Sequence, residues 1–71
     1  MIKNWIASNI IFQLGYDEKS ETLEVEFKNK EIYNYYLVPN EVYNEFMKSG
    51  QERDNYFKEK IEKGYQSTRI Y

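Results

Sequence analysis

The chain has 71 residues, a formal net charge of −2, and neither cysteine nor histidine. That length allows one domain, which buries only about 60% of the surface its unfolded form exposes. Without cysteine there is no disulfide framework and no thiolate chemistry, and without histidine the commonest general base and metal ligand are gone. Aromatics make up 18% of the residues, and because each large ring buries about 150–250 Å², the tyrosines read first as core. Asn4, Ser8 and Asn9 interrupt the apolar start. No run reaches signal-peptide or membrane-span length, so the expected product is soluble and cytoplasmic, with no membrane contact.

Residues 1–7 form a lead-in and residues 8–71 the single domain. Ile2, Trp5 and Ile6 give the lead-in weak helical spacing, too short to stand alone. Trp5 covers one edge of the core or, in the sharper reading, anchors a partner. The first strand spans Ile10–Tyr16, where Ile10, Phe12, Leu14 and Tyr16 alternate with Ile11, Gln13 and Gly15. A polar turn follows at 17–21. Thr22–Lys28 is the clearest strand, with Leu23, Val25 and Phe27 on one side and Glu24 and Glu26 on the other.

The next turn, Lys28-Asn29-Lys30-Glu31, decides a register. A two-residue loop would pair Phe27 with Ile32 and carry Asn34 into the core beside Val25. A three-residue loop with a bulge would set Phe27 across from Tyr33 and bring Tyr33 and Tyr35 onto the Leu23/Val25/Phe27 face. An asparagine buried opposite valine is costly without a partner, so the second register is favoured, with Tyr36 on the open side. Ile32–Val38 is β-branched and aromatic and ends at Pro39, which cannot continue a ladder.

Pro39 or Asn40 opens a first helix, with Asn40 available as cap and Val42, Tyr43, Phe46 and Met47 as its apolar stripe. Ser49-Gly50 stops it. A second helix runs from about Glu52 to Lys63 over a Phe57/Ile61 line, and Gly64 stands where a left-handed closing residue belongs. Gln66–Tyr71 is a tail with a short extended piece at 69–71. The expected fold is α+β: a three-stranded antiparallel meander followed by two helices packed on one face of the sheet.

The order of these segments resembles the KTSC domain, named for the C-terminal domain of certain lysyl-tRNA synthetases and also found as free-standing bacterial proteins. The matching residues are Ser8-Asn9-Ile10, Gly15-Tyr16-Asp17, Leu23-x-Val25-x-Phe27, the central Tyr33-Asn34-Tyr35, Val38-Pro39, Tyr56-Phe57, Ile61 and Tyr65. No single motif is specific; their order and spacing together are. The family usually has glycine where this chain has Asn29-Lys30-Glu31, and again just before the Tyr-Phe pair, where this chain has Asp54-Asn55. The resemblance implies a sheet with two helices, no enzymatic activity, and RNA binding as a role; the residues themselves show no motif for a cofactor or metal.

Three sets of side chains are candidates. Glu24 and Glu26 lie two apart on one strand face, a carboxylate pair that reads as a solvated surface because the chain has no room to enclose it. Tyr33 and Tyr35 have the spacing of base-stacking aromatics on RNA-binding sheets, yet the favoured register packs them under the helices. On the second helix, Arg53, Tyr56, Lys60 and Lys63 fall along one flank and suit a nucleic-acid backbone, with Glu59 placed to pair with Lys63. The sequence therefore supports a non-enzymatic binding module without a small-molecule substrate. Its partner is RNA at the helix flank, or else a protein or second copy of the chain at Glu24, Glu26, Trp5 and Tyr36.

Overall fold

The computed structural model describes residues 8–71 in full and residues 3–5 as backbone. Among these residues one antiparallel sheet holds five strands in the order of the chain. They are β1 (Lys3–Trp5), β2 (Ile11–Asp17), β3 (Thr22–Phe27), β4 (Ile32–Tyr35) and β5 (Ser67–Arg69). The central meander is the one expected. Two edge strands join it: lead-in residues 3–5, read as weakly helical, pair with β2, and the tail's extended piece, expected at 69–71, lies at 67–69 and pairs with β4. Each is three residues long, too short for alternation to register, and each is templated by an edge that is already formed. The side chain of Trp5 lies outside the described residues.

Strand β2 departs from simple alternation. Its register shifts between Ile11, which pairs with Phe27, and Gln13, which pairs with Glu26. The extra residue of this bulge re-aims the side chains before it. Ile11 is fully buried, whereas Phe12, expected on the same side as Leu14, is 46% exposed.

The β3–β4 hairpin has the three-residue loop. The Phe27 amide donates to the Glu31 carbonyl (2.8 Å) and the Lys30 amide to the Phe27 carbonyl (2.9 Å). Lys30 is the left-handed residue, at φ 76°, while Asn29 Oδ1 accepts the Glu31 amide at 3.0 Å. Val25 pairs with Tyr33 and Leu23 with Tyr35, so both tyrosines lie on the core face and Asn34 lies opposite Glu24 on the other. The expected partner of Tyr33 was Phe27. The turn closes Phe27 onto Glu31 instead, which moves the pairing by two residues, a full pleat period that leaves the faces unchanged.

Strand β4 stops at Tyr35, short of the expected Val38. Leu37 adopts φ 57° and breaks the ladder. Its neighbours are pinned: the Tyr36 amide donates to Gln66 and the Val38 amide to Glu21, and the Tyr16 hydroxyl donates to the Val38 carbonyl at 2.6 Å.

Helix α1 (Asn40–Lys48) begins after Pro39, whose extended backbone makes it the cap residue. Asn40 does not cap; its amide reaches Glu18 at 2.9 Å. Gly50 (φ 57°) takes the left-handed turn that ends the first helical layer. The expected single second helix is three pieces: a 3-10 turn at Gly50–Glu52, α2 at Arg53–Tyr56, and a wide π-helical stretch at Phe57–Glu62. Gly64 is not left-handed as expected. A Cβ there would stand 2.5 Å from the Lys60 carbonyl oxygen, so close approach is what requires glycine. Phe46, Phe57 and Ile61 close onto Ile11, Leu14, Leu23, Val25, Tyr35 and Val38 to complete the core. Among the described residues no helix is long and apolar enough to cross a membrane.

Candidate binding cleft

Because Tyr33 and Tyr35 are two residues apart on β4, both rings point toward the helices. Tyr35 is only 3% exposed. Its ring meets Phe57 edge-on at 5.5 Å and lies 6.3 Å from Tyr33. Phe27 meets Tyr33 edge-on at 5.8 Å. Burial, then the Glu62 carboxylate and Tyr33, push the Tyr35 hydroxyl up to about 12.

The helical layer does not cover the whole sheet. Beside the end of the π-helical stretch an open cleft of about 580 Å³ remains, with Tyr33, Tyr35, Phe27 and Ile10 as its aromatic and apolar wall. Lys28, Asn29 and Glu31 border it from the hairpin, Glu62 from the helix, Asn9 from the chain entering β2 and Ser67 from β5. Arg69, on β5, lays its guanidinium 3.4 Å from the Glu31 carboxylate. Sequence reasoning found the two tyrosines but not the cleft. Its borders come from five separate segments, and no spacing in the chain links Asn9 to Glu62 or Ser67.

The helix flank is not one surface. Arg53 donates to the Met47 carbonyl at 2.9 Å, capping the end of α1. The Tyr56 hydroxyl donates to Glu45 Oε2 at 3.0 Å, and its ring packs 6.2 Å from Phe46. Burial first, and then the hydrogen bond to Glu45, push that hydroxyl up to about 12. Both side chains join α2 to α1. Lys60 and Lys63 remain exposed, and Lys63 pairs with Glu59 at 3.6 Å as the i,i+4 spacing anticipates. On the other sheet face, Glu26 accepts a hydrogen bond from Gln13 Nε2 at 2.8 Å. Glu24 is half-buried between Gly15 and Asn34, and Tyr36 is half-buried beyond β4. No group of three acids among the described residues converges as a metal site.

The family model of the KTSC domain matches residues 7–65. The chain belongs to the KTSC domain family. A KTSC domain protein from Yersinia pestis, known from a crystal structure, superposes with a TM-score of 0.89 at 26% identity, over 99% of this chain and 97% of that one. No curated protein matches the chain.

In this KTSC domain the central Tyr-x-Tyr is a core element with one open side. Tyr35 fills the interior, and Tyr33 spans interior and cleft. Asp54, one of the residues standing where the family usually has glycine, is put to use. Its carboxylate accepts the Ser8 hydroxyl and, at 3.0 Å, the Asn9 amide. Ser8 Oγ in turn accepts the amides of Ile10 (3.1 Å) and Ile11 (3.0 Å). These bonds lock the chain entering β2 and fix Asn9 and Ile10 at the cleft. The other departure costs backbone strain, because Lys30 holds a left-handed conformation that glycine adopts freely.

Proposed function

We propose that this KTSC domain is a non-enzymatic protein-interaction module that receives part of a partner in the cleft beside Tyr33. The observation that carries the reading is the division of labour in the Tyr-x-Tyr pair. Tyr35 is only 3% exposed and gives the cleft no open ring face, so two rings cannot stack successive bases, while Tyr33 backs an open cleft fit for one protruding group. The helix flank points the same way. Two of its four members are committed to holding α2 against α1, which leaves Lys60 and Lys63 on a chain of net charge −2. That is a thin footprint for a nucleic-acid backbone.

Binding of a labelled single-stranded RNA, followed by anisotropy across a salt series, separates the two readings. Two accessible lysines release about two counterions, so a slope of log affinity near −1.4 is the most the flank can give, with affinity at physiological salt no tighter than about micromolar. The protein reading expects RNA binding that weak or none, and displayed peptides that bind the domain and shift the amides of Tyr33 and Ser67. Tight RNA binding that collapses in a Lys60→Gln/Lys63→Gln protein would reverse the assignment in favour of RNA.

A further inference from the structure

The cleft reaches Ser67 on β5, which is an edge strand of the sheet among the described residues. In the β4–β5 ladder Gln66 and Ile70 turn their backbone groups toward β4, since the Tyr36 amide donates to Gln66 and the Ile70 amide to Ile32. By the alternation of an antiparallel pair, Ser67 and Arg69 turn theirs outward. All three β5 residues are exposed. Ser67 and Arg69 also pair with Tyr35 and Tyr33, so their side chains lie on the cleft side of the sheet. An extended segment added along β5 would place alternate side chains on that same side, next to Ser67 and Arg69.

The charges around the cleft select among such side chains. Glu31 already holds the Arg69 guanidinium at the rim, so this rim accommodates a cation beside the rings. Glu62 is exposed, and among the described residues it is bonded to no cation. Lys28, on the hairpin, is the cation among the residues lining the cleft, and Glu62 belongs to the helical layer. A second cation entering from β5 would meet Glu62 on one side and the half-buried Tyr33 ring on the other, the arrangement in which aromatic rings and carboxylates favour ammonium and guanidinium groups.

Resting on the protein-interaction reading, we infer that the partner is an extended peptide segment that pairs with β5 and inserts a lysine or arginine between Glu62 and the Tyr33 ring. The test uses capped pentapeptides of threonine and valine with lysine, norleucine or glutamate at the centre, titrated into the isotope-labelled full chain and followed by NMR. The lysine peptide should shift the amides of Ser67–Arg69 together with the Tyr33 ring signals. It should bind about tenfold more tightly than the norleucine peptide, about 1.4 kcal/mol, with the glutamate peptide weakest. Glu62→Gln should erase the preference for lysine over norleucine without altering the fold, because Glu62 is exposed. If lysine and norleucine peptides bind β5 equally, or if Glu62→Gln leaves the preference intact, the cationic insertion is wrong while the protein reading stands. If no peptide shifts β5 and a single-stranded RNA shifts the cleft, both are wrong.

Discussion

Truncating Tyr35 to alanine tests the packing on which the cleft depends. A buried aromatic ring removes about 150–250 Å² from water, worth about 4–6 kcal/mol at 25 cal/mol per Å². The unfolded chain already hides part of that area, which brings the expected loss to about 3–5 kcal/mol, the range of aromatic-to-alanine truncations in cores. Tyr35 meets the conditions for the full loss: it is 3% exposed and is held edge-on by Phe57 at 5.5 Å. A domain of this length has a total stability of about 4–11 kcal/mol, so Tyr35→Ala should remove about a quarter of it or more and can unfold the protein outright. Tyr35→Phe is the control. It keeps the ring and removes only the hydroxyl, so it should change stability by less than about 1 kcal/mol. Urea unfolding at 25 °C followed by far-UV circular dichroism measures both. A Tyr35→Ala protein within about 1 kcal/mol of the parent would mean that the ring is not packed under the helices, and the reading of the cleft wall would fail with it.

Lys30→Gly and Leu37→Gly should each raise stability by about 0.5–1 kcal/mol in urea titrations: relief of a left-handed non-glycine residue (φ 76° and 57°) outweighs the added chain entropy. For Leu37 this means that deleting a large apolar side chain stabilises the protein, since the residue is 71% exposed; a loss at either site argues against the strain. Gly64→Ala should cost about 1–3 kcal/mol, because its Cβ would meet the Lys60 carbonyl at 2.5 Å, and an unchanged thermal midpoint would contradict the tight wide turn. Tyr35 and Tyr56 are both pushed up to about 12 from an ordinary value of 10.0. The fold thus favours their neutral forms, and the stability this brings is whole below pH 10 and lost as pH rises through about 12. Tyrosinate absorbance should show late-ionising rings whose titration coincides with unfolding; all eight tyrosines of the chain ionising together near pH 10 in a folded protein would contradict this.

The sequence by itself determined the features that rest on local periodicity and backbone restriction. The alternation of 22–28 specified which side of β3 is buried, and keeping Asn34 off that side placed Tyr33 and Tyr35 on it, although Asn34 Oδ1 is still shielded from solvent with no hydrogen-bond partner among the described residues. Pro39 located the start of α1, though not the end of β4, which stops at Tyr35, and the three- and four-residue steps of Val42, Tyr43, Phe46 and Met47 gave α1 its apolar stripe. The Phe57/Ile61 line survived even though its helix is partly π-helical, because both residues still face the core. Tertiary structure decided what depends on residues far apart in the chain. Strand β1 and the bounds of β5, which lies at 67–69 and not at the expected 69–71, are set by pairing with the neighbouring strand, which no three-residue pattern announces. The bulge at Ile11–Gln13 reversed the roles of Ile11 and Phe12, since an inserted residue is invisible until two strands are paired. Arg53 and Tyr56 read as free surface on a helix considered alone, and they became links once α1 lay beside them. The cleft is a tertiary product throughout: it is the part of the sheet that a short helical layer leaves uncovered, and its chemistry is set by residues that only folding brings together.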